Sequence, residues 1–203
     1  MASSFLSPAL VLLFILLSFS ANKTLSTTML ASKTNTEYIK IACDATMYPK
    51  LCYHSLTIYA NKIKTNPKEL ATTALNITLK ATKSTSRMMI KMSKIPGLMP
   101  KEAVEAMTDC IEVINDSVDE LQQSIEEMGD IKSSNFGVIM SDIQTWVSAA
   151  LTDEDTCMDG LKGKPMNTNV KTMLRRHVVK VSHLTSNALA LVNTYASTNP
   201  ASP

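Results

Sequence analysis

Four cysteines, three histidines and several groups of carboxylates are the side chains in this sequence that could do chemistry. The cysteines are Cys43, Cys52, Cys110 and Cys157. They lack the CxxC spacing of a structural zinc site and have no clustered histidines beside them, so they read as two disulfides and not as metal ligands. The histidines are His54, His177 and His183. His177 and His183 stand six apart, on different faces of any helix that carries them, and cannot chelate one ion together. His177 falls at a seam position and is expected to be packed. No GxSxG, HExxH, Walker or GxGxxG pattern occurs, so no nucleophile elbow, zinc helix or phosphate loop is present. Asp153, Glu154 and Asp155 are adjacent, which fans them around a helix instead of converging them as an acid–base pair, and they are expected to be solvated. Met88, Met89, Met92 and Met99 suit the filling of irregular core gaps better than metal binding. Neither a cofactor nor a metal is expected, and no enzymatic activity.

One carboxylate pattern is less ordinary. Glu112, Asp116 and Asp119 recur at i, i+4, i+7, a ridge on one side of a helix. Like charges at that spacing cost the helix a few tenths of a kcal/mol per pair, roughly. Such a ridge fits a role in meeting a partner protein, and equally a solvated helix face.

The elements that position these residues are all helical. Gly occurs 5 times and aromatics make up 5% of the chain, against 13 Met, a balance that favours helices over sheets. Residues 36–66 read as a short helical hairpin broken at Tyr48-Pro49, because the residue before a proline is pushed out of the helical region. Residues 67–198 read as four long helices. The first starts at Pro67 with a stripe through Leu70, Ala74, Ile77, Ala81, Ser84 and Met88, and stops before Ile95-Pro96-Gly97. The second runs from Pro100 to Gly129 through Ala103, Ala106, Cys110, Ile114, Ser117, Leu121, Ile125 and Met128. The third is offered N-caps by Ser133-Ser134-Asn135 and runs through Ile139, Ile143, Trp146, Ala150 and Cys157 to Gly160. The last carries Val170, Leu174, His177, Val181, Leu184, Ala188, Leu191 and Tyr195. These alternating four and three spacings are bundle seams. Short loops then give an up-down-up-down four-helix bundle preceded by the hairpin. Cys110 and Cys157 are nearly equidistant from the turn near Ser133 and lie on inner stripes, so antiparallel helices bring them together. Cys43 and Cys52 flank the Pro49 corner.

The context of export comes from the first residues. Ala9 to Phe19 form a nearly continuous apolar run too short for a bilayer, which takes about 20 residues, and Ser18-Phe19-Ser20 offers small residues at its first and third positions. Residues 1–20 are expected to be a signal peptide, cleaved between residues 20 and 32. An even cysteine count suits an oxidising compartment. Asn76-Ile77-Thr78 and Asn115-Asp116-Ser117 are glycosylation sequons. The expected protein is secreted. Its net charge of +2 offers no electrostatic case for nucleic acid, and no membrane attachment is expected after cleavage.

The motifs also resemble a known family, the plant inhibitors of pectin methylesterase and invertase. Ile41-Ala42-Cys43 with Thr46-Met47-Tyr48-Pro49 and Cys52 is similar to its N-terminal hairpin. Asp109-Cys110-Ile111-Glu112 with Asp116-Ser117-Val118-Asp119-Glu120-Leu121 resembles its third-cysteine helix. Trp146-Val147-Ser148-Ala149-Ala150-Leu151-Thr152 with Asp155-Thr156-Cys157-Met158-Asp159-Gly160 is the most specific match, and Ser186-Asn187-Ala188-Leu189-Ala190-Leu191 resembles the terminal helix. The resemblance implies a hairpin plus four-helix bundle, first-to-second and third-to-fourth disulfides, and a free-standing inhibitor acting in the apoplast. It is closer to the pectin methylesterase inhibitors, with an invertase as the alternative target. The implied mechanism is a non-covalent protein–protein complex that blocks the enzyme's substrate cleft. The contacting face would come from the last three helices, with Glu112, Asp116, Asp119, Thr156 and Asp159 as its residues. A carrier of a small apolar ligand is disfavoured, because Ala, Ser and Cys in the stripes draw the helices too close for a cavity.

Overall fold

The structure, a computed structural model, describes residues 33–198; the expected leader and its cleavage region, like residues 199–203, lie outside the described residues. The hairpin consists of α1 (33–44), α2 (Pro49–Leu56), a 3-10 turn (Thr57–Tyr59) and α3 (Ala60–Ile63). The long helices are α4 (Pro67–Ser93), α5 (Lys101–Asp130), α6 (Phe136–Gly160) and α7 (Thr168–Ser197).

Local chemistry sets their ends. Asn66 caps α4, its Oδ1 accepting from the amides of Lys68 at 2.9 Å and Glu69 at 3.2 Å, while Pro67 takes the first position, where no N–H is needed. Asn167 caps α7 through the amide of Asn169 at 2.9 Å. The α4–α5 connection turns at Gly97 with φ +72°, a left-handed conformation that costs glycine little.

The four long helices run antiparallel in sequence order, and each packs on the two beside it in the cycle α4–α5–α6–α7. The hairpin lies across α4 and α7 at one end. One core layer, at that end, joins Ile39, Leu56 and Ile63 of the hairpin to Leu75, Leu121, Ile143 and Leu191. The other surrounds the Cys110–Cys157 bond with Met89, Met92, Met99, Met107, Leu174 and Val178, so the methionines do fill the core. Both expected disulfides are formed, with Cα–Cα distances of 5.5 Å for Cys43–Cys52 and 4.4 Å for Cys110–Cys157.

All four seams differ from expectation by one residue in places, and on α5 Ser124 is buried in place of the expected Ile125. On α4 the buried line runs through Thr78, Thr82, Thr85 and Met89, while Ile77, Ala81 and Met88 are only half-buried and Ser84 is exposed. Threonine reads as polar, but Thr78 and Thr82 each donate their hydroxyl to the carbonyl four residues back, at 2.9 Å, which lets the methyl group face the core. On α6 Val147 takes the seam and Trp146 is 37% exposed. On α7 Val178 takes it and His177 is exposed, so the histidine expected to be packed is the wrong one. His183 is packed instead: its ring stacks on Tyr48 with centroids 3.5 Å apart, and burial pushes its pKa down. Beside it the Asn187 side chain accepts from the Tyr48 amide and donates to the Tyr48 carbonyl, both at 3.0 Å. That pair ties the corner of the hairpin to α7.

Candidate docking face on the acidic helices

Charge is sorted between the helices. α5 carries ten acidic residues against Lys101 alone, and α6 carries five acids and no lysine or arginine. α4 carries five lysines and arginines against Glu69, and α7 carries four against no acid. Since α5 adjoins α6 and α4 adjoins α7, the bundle has an acidic side and a basic side that the net charge conceals. Among the described residues the ion pairs are Lys40–Asp44, Lys62–Glu69 and Lys101–Glu105. Apart from Glu105, no carboxylate of α5 or α6 is in one.

The acidic side presents the residues singled out from the sequence. Glu112, Asp116 and Asp119 are exposed on α5, and Thr156 and Asp159 are exposed on α6. The Cys110–Cys157 bond fixes the two helices against each other within one to two turns of all of them except Asp119. Proximity within the group is uneven. Asp116 lies beside Glu120 and Asp153. Thr156 donates its hydroxyl to Thr152 O at 2.8 Å. Asp159 sits at the far end of α6, on the rim of a groove of about 330 Å³ shared with Lys171 and Arg175 of α7.

Glu120 and Asp153 form a carboxyl pair across the α5–α6 seam. Burial, then the neighbouring Asp153, then Asp116 push the Glu120 pKa up to about 7. Burial likewise raises Asp153. Glu120 Oε2 is buried and meets no donor among the described residues, which favours the protonated form of the pair. Neither residue was singled out from the sequence as part of this face; the i, i+4 spacing of Asp116 to Glu120 was the available signal.

Glu154 corrects the reading of residues 153–155 as solvated. Its side chain is 0% exposed. Its Oε1 accepts from Ser117 Oγ of α5 at 3.0 Å and from Thr185 Oγ1 of α7 at 2.8 Å, joining three helices at one atom. Burial outweighs those hydrogen bonds and pushes its pKa up to about 8, so near neutral pH it is mostly a neutral acid.

Both sequons reach the surface. Asn76 is exposed, donating to Thr72 O at 2.8 Å, and Asn115 is exposed, accepting from Ser86 Oγ at 2.6 Å. Among the described residues no group of three or more His, Cys, Asp or Glu is arranged to hold a metal ion, and no helix is long and apolar enough to cross a membrane.

Known proteins are similar to this chain in sequence and in fold. Residues 37–191 match the family model "Plant invertase/pectin methylesterase inhibitor". Pectinesterase inhibitor 10 of Arabidopsis thaliana is 49% identical over 83% of this chain, which spans 54% of that protein. Pectinesterase inhibitor 9 of Arabidopsis thaliana is 43% identical over 92% of this chain and 93% of its own length. The crystal structure of a mutant form of a pectin methylesterase inhibitor from Arabidopsis superposes with a TM-score of 0.57 at 23% identity, covering 74% of this chain and 92% of that one, and so shares the fold. With a matching family model over most of its length and relatives well above 30% identity, the chain belongs to the plant invertase/pectin methylesterase inhibitor family.

Proposed function

We propose that this protein inhibits a plant pectin methylesterase in the cell wall by forming a non-covalent complex with it. The similarity to Pectinesterase inhibitor 9 over nearly the whole of both chains carries this reading. The docking residues are Glu112, Asp116, Asp119, Thr156 and Asp159, and the bundle lays the face formed by α5, α6 and α7 across the substrate cleft to exclude the pectin chain. Two features support that assignment. The face is exposed and acidic, whereas a cleft that grips a polymer of galacturonate gains from basic and polar groups. It is also pre-organised: the disulfide and the Glu154 junction hold α5, α6 and α7 together, so little order is lost on binding. Residues 1–20 act as the leader, removed between residues 20 and 32, and residues 36–198 are the inhibitory domain. Asn76 and Asn115 are its two sequon asparagines, of which Asn76 carries glycan and Asn115, next to Asp116 of the docking face, stays free in the active inhibitor.

Purified protein is titrated against several plant pectin methylesterases and, in parallel, against cell-wall and vacuolar invertases. Stoichiometric loss of pectin demethylation with invertase untouched is the expected result. No inhibition of any pectin methylesterase between pH 4 and 8 sinks the proposal, and inhibition of invertase alone transfers it to the other target.

A further inference from the structure

The basic side of the bundle is unused by this reading. Lys80, Lys83, Arg87 and Lys91 of α4 and its C-cap Lys94 recur at spacings of three, four, four and three, one face of a helix over about 21 Å at 1.5 Å per residue. Among the described residues none of them forms an ion pair, and the one acid of α4, Glu69, is engaged with Lys62. Lys83 alone has a polar partner, donating to Gln122 Oε1 at 3.1 Å. The hairpin covers the other end of α4 and α7 and leaves this half open. Between the helices runs a groove of about 390 Å³, where Arg87 and Lys91 alternate with Met88, Ile95 and Met173. Ile95 is 52% and Met173 38% exposed, so the floor is apolar and reachable.

We infer that this α4–α7 face binds a linear acidic polysaccharide through its carboxylates, the de-esterified product of the enzyme proposed as target. The cation row meets charges repeated along a chain, and arginine takes a carboxylate in bidentate fashion. The methionines and isoleucine meet the C–H faces of sugar rings. Residues 80–94 and 168–182 contain no Phe, Tyr or Trp, so the face lacks the stacking platform on which single-stranded nucleic acids are held. The acidic helices lie on the opposite side, where a polyanion is repelled, so the two faces can be occupied together. The identity of the polymer rests on the proposed function; the cation row does not.

The test is retention on immobilised polygalacturonate, on fully methyl-esterified pectin and on duplex DNA, with elution by salt. The purified protein is compared with an Arg87→Gln, Lys91→Gln, Lys94→Gln variant, and with Lys132→Gln as a cation off the face. Retention on polygalacturonate alone, weakened about tenfold by the triple change and unchanged by Lys132→Gln, is expected for three exposed charge contacts. Equal retention on the esterified polymer, equal or tighter retention on DNA, or indifference to the triple change overturns the inference. Pectin methylesterase inhibition is measured on the same preparations. Retention without inhibition refutes the proposed function and leaves this face standing, whereas inhibition without retention refutes this face alone.

Discussion

Replacing Glu154 by glutamine should change how the protein's stability depends on pH. The pKa of Glu154 is raised from 4.5 to about 8 in the folded chain. A raised carboxyl binds its proton more tightly folded than unfolded, so its contribution is complete below about pH 4.5 and is lost as pH rises through about 8. At about 1.4 kcal/mol per unit, the whole contribution is on the order of 4–5 kcal/mol, which for a chain of this size is roughly 10–15 °C in Tm. Glutamine keeps an oxygen to accept from Ser117 and Thr185 and cannot ionise. At pH 5 Glu154→Gln should therefore lie within about 1–2 kcal/mol of the parent. By pH 8.5 the parent should have fallen relative to the variant by most of that contribution. Urea unfolding followed by circular dichroism at 222 nm, at half-unit pH steps from 4.5 to 9, gives the difference directly. Glu120 and Asp153 titrate in both proteins, so most of their effect drops out of the difference, although the charge of Asp153 also acts on Glu154. Parallel stability curves, or a parent that gains on the variant as pH rises, would refute the reasoning.

Other expectations concern the staples, the docking face and the hairpin. The Cys110–Cys157 bond closes 47 residues and Cys43–Cys52 closes 9, so loop entropy assigns them about 4 and about 2.5 kcal/mol. Cys110→Ala with Cys157→Ala should lower the denaturation midpoint more than the corresponding hairpin double variant; equal losses would contradict that ranking. Asp116→Ala with Asp119→Ala should slow association with pectin methylesterase, most at low salt, with helix content unchanged; unaltered inhibition at low salt would make the ridge a solvated surface. Asn187→Ala removes two partly buried hydrogen bonds to Tyr48 and should cost about 2 kcal/mol, read as faster proteolytic cleavage near Pro49. Mass spectrometry of active inhibitor should find Asn115 largely free of glycan, since a sugar there would stand beside Asp116; full occupancy would remove Asp116 from the contact.

Much of the fold can be read from the chain. Pro67, Pro100 and Pro165 punctuate the helices, and Cys110 and Cys157 announce their own pairing by standing at matched distances from one turn. What stays hidden depends on partners distant in sequence. Glu154 is indistinguishable from Asp153 and Asp155 until Ser117 and Thr185 arrive from two other helices. Thr78 and Thr82 look polar until their hydroxyls fold back on their own backbone, and that shifts the α4 seam by one residue. His177 yields its expected place to Val178 for the same reason: one residue of register decides which side chain enters the core. The exposure of Glu112, Asp116, Asp119, Thr156 and Asp159 follows from the seams of α5 and α6, but the grouping of Asp116 with Glu120 and Asp153 needs the relative height of the two helices. A net charge of +2 says nothing of its separation onto opposite sides.

The two disulfides join consecutive cysteines, first to second and third to fourth. Of the three pairings open to four cysteines, this is the one that vectorial entry into an oxidising compartment favours. Cys52 emerges 58 residues before Cys110, which at about 5–20 residues per second is a lead of several seconds. During that interval Cys43 has a single possible mate. The hairpin bond can close before a competing thiol exists, leaving the remaining pair no wrong choice, so oxidation during synthesis can reach the native connectivity without isomerisation.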